Sequence, residues 1–200
     1  LLICFSPFVT KAQSIFLEKG EKGLLTEGGI VFADGFIGPV FGLGYSLNGM
    51  TELGVYYGML SSKGEELYSF SAGVKGYLMA ENTGDVANVE ISAVFQRGFR
   101  NIAESYQSFF AFSGAVSKNL NSEKGFSFIP RAGLTYGISV VTGQEYQDNN
   151  SGNNISAFNL DTIIGISFAR NFSFILNPGI SLFLNESATT GFISSGILIH

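Results

Sequence analysis

The sequence predicts an all-β fold: a single closed, antiparallel, up-and-down barrel that crosses a membrane by its strands. Three observations carry this. From about residue 24 onward, large apolar residues alternate with small or polar ones at period two, the pattern of strands with two unlike faces. Charged residues make up only 14% of the chain, against about 25% in average soluble domains, while 26 glycines accompany 20 phenylalanines and 8 tyrosines. Beyond the first residues, no stretch approaches the roughly 20 continuous apolar residues of a membrane helix. A chain of this kind that meets lipid must therefore do so as a closed sheet, which leaves no backbone group unpaired. The alternation fits about ten strands, within a range of about 8–12.

The opening residues, LLICFSPFVTKAQS, stand apart. Leu1 to Val9 is apolar apart from Ser6, and Thr10-Lys11-Ala12 ends the run with a small residue, as at the cleavage site of a secretory signal peptide. Residues 1–13 are read as a truncated signal peptide cleaved after Ala12 or Gln13, residues 14–23 as a polar lead-in, and residues 24–200 as the barrel. Pro7 weighs against the other reading, a buried first strand. Cys4 is the one cysteine and falls in this segment, behind Leu-Leu-Ile, a poor lipidation box. The mature chain then has no thiol chemistry and needs no disulfide.

The strands follow in order. The first is expected over about 24–33, with Gly28 and Gly29 suggesting a bulge or bend. The next two form a hairpin over 40–60, VFGLGYSLNGMTELGVYYGML. Its large face carries Phe41, Leu43, Tyr45, Leu53, Val55 and Tyr57, and its small face Gly42, Gly44, Gly54 and Gly58. Asn48-Gly49 between them reads as a tight two-residue turn. Residues 61–66 read as a polar loop, and the fourth and fifth strands as about 67–79 and 87–96. A loop with two arginines is expected over 97–104, then a sixth strand over 105–117. The seventh, about 126–140, contains Pro130, read as a bulge. The longest loop, 142–154, precedes strands over about 156–168, 173–184 and 190–199. Counting connections, the longest loop falls on one side and the two tightest turns on the other. That matches the longer outer loops and short periplasmic turns of membrane barrels.

On these faces Glu27, Glu52, Lys75, Glu90, Arg131 and Asp161 point into the lumen. A charge in a narrow lumen must be paired or hydrated. Lys75 with Glu90, and Arg131 with Asp161, fall at similar heights on neighbouring strands. A charge network plugging the barrel is expected; a selectivity ring in an open pore is the alternative. The residues offer little for chemistry. The one histidine, His200, ends the last strand without a Ser-His-Asp arrangement. With one histidine and no mature cysteine, neither a transition-metal site nor another cofactor is expected. Asp148 and Asn150 in the loop QEYQDNNSGNN lack the spacing of a calcium loop. Net charge is −5 with no basic cluster, which argues against nucleic-acid binding. Arg97, Arg100 and Phe99 could touch anionic lipid headgroups, though an ordinary exposed loop is the simpler reading.

With its alternation, glycine-rich inner face, signal-like start and terminal strand GFISSGILIH, the chain resembles the small outer-membrane β-barrel proteins of Gram-negative bacteria. The resemblance covers about residues 24–200 and rests on pattern rather than a motif. It implies residence in the cell outer membrane, with membrane lipid and the barrel assembly machinery as partners. Phe192 is the nearest aromatic for the terminal assembly signal typical of such barrels. The expected function is non-enzymatic: a barrel with a largely plugged polar lumen, in a structural or surface-interaction role or as a narrow, porin-like passage for small solutes. The alternative is a soluble exported barrel binding a small apolar ligand inside, which requires the Phe41, Leu43 and Tyr45 face to point inward. The sequence sets no oligomeric state.

Overall fold

In the computed structural model the chain is described over residues 16–17, 20–33, 35–81, 84–100, 105–120, 125–142, 153–169, 171–185 and 188–199. The signal-like segment 1–13 with Cys4, Asp148 and Asn150 in the long loop, and His200 lie outside the described residues. Ten strands follow in order: β1 (Gly23–Ala33), β2 (Phe36–Ser46), β3 (Thr51–Ser62), β4 (Glu65–Met79), β5 (Asn88–Arg100), β6 (Ser105–Ser117), β7 (Phe126–Thr142), β8 (Asn153–Ala169), β9 (Phe172–Phe183) and β10 (Thr189–Ile199). Each pairs antiparallel with its sequence neighbours, and β1 pairs with β10, so the sheet closes without an edge. The even strand number puts the start of β1 and the end of β10 at one end of the barrel, its lower end. No helix among the described residues is long and apolar enough to cross a membrane; strands of 11 to 17 residues have the length to do so when tilted.

The period-two alternation sorts the side chains cleanly. Phe41 is 59% exposed, and Leu43, Tyr45, Leu53, Val55 and Tyr57 face outward with it. They meet across the hairpin as the pairs Phe41–Tyr57, Leu43–Val55 and Tyr45–Leu53. The same holds around the wall, where Ile30, Phe70, Phe112, Leu134, Ile166 and Ile193 are all exposed. A continuous apolar exterior of this extent is incompatible with water and suits lipid. The face that the soluble-barrel alternative needs inside is therefore outside.

Several local expectations are corrected. The register of β1 runs unbroken past Gly28 and Gly29 against both neighbours, so no bulge occurs there. Nor does one occur at Pro130, which pairs with Thr162 in continuous register. Past the end of β6 the Pro130 carbonyl still accepts from the Lys118 N–H at 3.4 Å, so the proline removes one donor at the strand's margin without shifting the register. The register shifts fall instead at Tyr77/Met79 and Ser167/Ala169. The turn at Asn48-Gly49 is wider than two residues. Only Gly49 takes a positive φ (69°), while Asn48 Oδ1 accepts the N–H groups of Met50 and Thr51 at 3.0 and 2.8 Å. Residues 61–66 form no loop: Ser62 pairs with Glu65 around a tight Lys63-Gly64 turn with φ of 46° and 90°. Arg97 to Arg100 belong to β5, held by pairing of Phe99 with Tyr68 and Tyr106. Tight turns thus occur at both ends, and connection length does not distinguish them.

The inner glycines have a specific role. The Tyr56 ring lies over Gly42 and Gly54, Phe109 over Gly137, Phe192 over Gly179 and Phe16 over Gly165, each so close that a Cβ on the glycine would meet the ring. These glycines thus make room for rings that point into the lumen. Phe192, proposed as a terminal recognition aromatic, is one of these inward rings and is 2% exposed.

Candidate functional site

The inward charges form one continuous ladder across the lower half of the lumen. Glu52 and Lys75 are register partners on β3 and β4, and their charged atoms lie 2.6 Å apart. Lys75 Nζ is 3.8 Å from Glu90 on β5 and lies over the Tyr77 ring at 5.0 Å. Glu90 then accepts a 2.7 Å hydrogen bond from Arg131 on β7. This contact crosses β6, whose inward Ala115 is too short to intervene. Arg131 donates from Nε to both Asp161 oxygens at 3.0 Å, and its NH2 lies 2.9 Å from Oδ2, a forked pairing with its register partner on β8. Asp161 also accepts from Asn177 on β9 at 3.1 Å.

Lys75 is wholly buried and Arg131 is 8% exposed, so both cations are largely withdrawn from bulk water. In such surroundings each charge depends on its partners. The main contact of Lys75 is Glu52; Glu90, expected beside it, lies one rung lower, paired with Tyr77. Glu27 also faces the lumen, but on β1 over Gly42 and Gly196, with contacts of its own outside the ladder's ion pairs.

Asn177 is a member that alternation assigned inward without a role. Its neighbour Pro178 has no N–H, and the β8–β9 register pairs are interrupted between Asp161–Gly179 and Ile164–Leu176. The Asn177 amide fills that gap by donating to the Thr162 carbonyl at 2.9 Å. An asparagine next to a proline within a strand was the available signal.

Above the charges runs a neutral rung. Ser113 and Thr135 hydroxyls meet at 2.8 Å, Asn159 donates to Thr135 at 2.8 Å, and Ser181 donates to Asn159 at 2.7 Å. Higher still, Gln107 donates to Ser139 at 2.7 Å. Among the described residues, buried Gln96 Oε1 and Ser117 Oγ have no hydrogen-bond partner.

Both ends of the lumen are apolar. Val31, Ala33, Phe36, Val40, Leu60 and Phe192 cluster at one side of the upper end, and Phe109, Ala111 and Ile155 at the other. At the lower end Leu25, Ile129, Ile163, Ile175 and Leu198 gather around Leu17, which is 1% exposed, with Phe16 packed against them. The lead-in, read as polar, thus places two apolar side chains inside the mouth. The Gly20 N–H anchors it to the Asn48 carbonyl at 2.8 Å. Among the described residues, no group of three His, Cys, Asp or Glu side chains could hold a metal ion.

No protein-family model matches the chain, and no curated protein sequence matches it. Among solved structures, it is similar to the translocator domain of the autotransporter NalP from Neisseria meningitidis, with 9% identity over 93% of this chain and 90% of that one and a TM-score of 0.59. It is also similar to the β domain of the Bordetella autotransporter Brka, with 10% identity over 92% of this chain and 100% of that one and a TM-score of 0.52. At such identities the likeness concerns the fold. In architecture and in the character of its two faces, the chain has the fold of a small outer-membrane β-barrel.

Proposed function

We propose that this barrel is a closed, non-enzymatic component of the outer membrane whose lumen does not conduct, and that it serves a structural or surface-interaction role. The observation that carries this reading is the buried ladder Glu52–Lys75–Glu90–Arg131–Asp161, which bridges β3 to β8 through the lumen. Apolar clusters lie at both ends of the lumen. An ion entering from below would have to displace Leu17 and then separate charges that already neutralise one another. In a selectivity ring, by contrast, charges face an aqueous path. The lower end, with the start of β1 and the end of β10, faces the periplasm in this reading, and the barrel assembly machinery and surrounding lipid are its partners.

Planar-bilayer recording tests it. The purified barrel is expected to give no steady single-channel current above background. Reproducible unitary currents would favour the narrow passage instead, and Arg131→Ala should then alter ion preference. The soluble reading has its own test, since recovery from the periplasm without detergent would support it.

A further inference from the structure

Arg97 stands out on the lipid-facing wall. Outward residues of β4, β5 and β6 climb in three rows: Ala72–Phe95–Phe110, then Phe70–Arg97–Ser108, then Tyr68–Phe99–Tyr106. The Arg97 guanidinium lies 5.1 Å from the centre of the Tyr106 ring and 5.8 Å from that of Phe99. These two rings meet edge to face at 5.4 Å. They hold the cation in place, yet no ion pair or hydrogen bond reaches it among the described residues. The other outward charge on a described strand, Glu66, accepts the Tyr68 hydroxyl.

A cation on this face is costly in mid-bilayer and tolerable at its edge. Val89 and Arg97 are eight residues apart on β5. At about 3.3 Å per residue and a tilt of about 40°, that spans about 20 Å of a belt about 25 Å tall. With Val89 at the lower edge, the Arg97 backbone lies about 5 Å below the upper edge of that belt, and the long side chain reaches the headgroup level, with tyrosines around it as in an interfacial girdle.

We infer that Arg97, framed by Phe99 and Tyr106, binds the phosphate group of an anionic membrane lipid. A guanidinium presents a planar fork that matches two phosphate oxygens, and rings that cover its face leave the edge donors open. Free phosphate has the same chemistry, but the surface beneath favours a lipid. Phe70 lies beside Arg97 in its own row, and Phe95 and Phe110 lie one row below with their rings 4.8 Å apart, where an acyl chain would lie. This inference rests on the membrane-spanning reading.

Native mass spectrometry of the folded full chain in phosphate-free maltoside micelles, with added diphosphoryl lipid A, tests it. Wild type should retain the lipid, Arg97→Gln should weaken retention about fivefold, and Arg97→Lys should fall between. Equal retention by wild type and Arg97→Gln would overturn the site, and displacement by inorganic phosphate would overturn the lipid as its occupant. A chain that does not fold in micelles contradicts the membrane reading itself. A chain that folds but retains lipid regardless of residue 97 contradicts only this site. Arg97 is exposed, so the variants should keep the barrel's heat-modifiable gel migration.

Discussion

Replacing Arg131 by alanine is expected to destabilise the barrel by about 3–5 kcal/mol, because it leaves buried Asp161 without its cation and Glu90 with only Lys75 at 3.8 Å. Glu90 loses its 2.7 Å hydrogen bond and Asp161 its fork, at positions where the side chains are 7% and 5% exposed. Arg131→Lys should lose less, since one charge remains but cannot serve both acids with a fork. A triple change, Glu90→Gln with Arg131→Met and Asp161→Asn, should recover much of the loss, because it removes the buried charges together. Urea unfolding of the barrel in lipid vesicles measures all three. A loss below about 1 kcal/mol for Arg131→Ala would mean that water reaches the ladder, since exposed pairs contribute only about that much. Conductance should stay at background in Arg131→Ala, because the apolar clusters at both ends remain.

The second large effect is expected at the lower mouth. Leu17 is fully enclosed by Leu25, Ile129, Ile163, Ile175 and Leu198, and removing a buried leucine side chain costs about 2–5 kcal/mol. Leu17→Ala should therefore destabilise the barrel by an amount in that range, and Phe16→Ala should add to it by emptying the seat above Gly165. Hydrogen exchange gives a local readout. Amides near Leu25 and Leu198 should lose protection in Leu17→Ala, while those near Phe109 should not. Unchanged protection at the lower end would show that the lead-in lies there without holding the mouth closed. This segment and the ladder act in series, so loss of the segment alone should not produce a steady current.

Much of the fold was legible because strand alternation is a local property. One residue in two faces each way, so the sidedness of Phe41, Leu43, Tyr45, Leu53, Val55 and Tyr57 follows once the wall is taken to face lipid. Local chemistry was less reliable where one residue has two uses. Asn48 can itself take a positive φ or can accept backbone N–H groups through its side chain, and here it does the second. Lys63-Gly64 carries a tight turn that a polar composition disguised as a loop. Pro130 needed no bulge because it lies at the margin of the β6–β7 pairing, where its carbonyl still accepts from Lys118, and no residue near Pro130 announces that.

By itself the sequence determined the fold class, the approximate number of strands and the two-faced character of the wall, since these depend on composition and a repeat of two. Tertiary structure alone decided what fills the lumen. Which charges meet depends on strand stagger around a closed ring, so Glu90 reaches Arg131 across a strand whose inward residue is small, and Lys75 turns first to Glu52. Whether a glycine is empty space or a seat depends on a ring from another part of the chain, as with Phe16 on Gly165. Those distances are fixed only when β1 meets β10 and the cylinder closes.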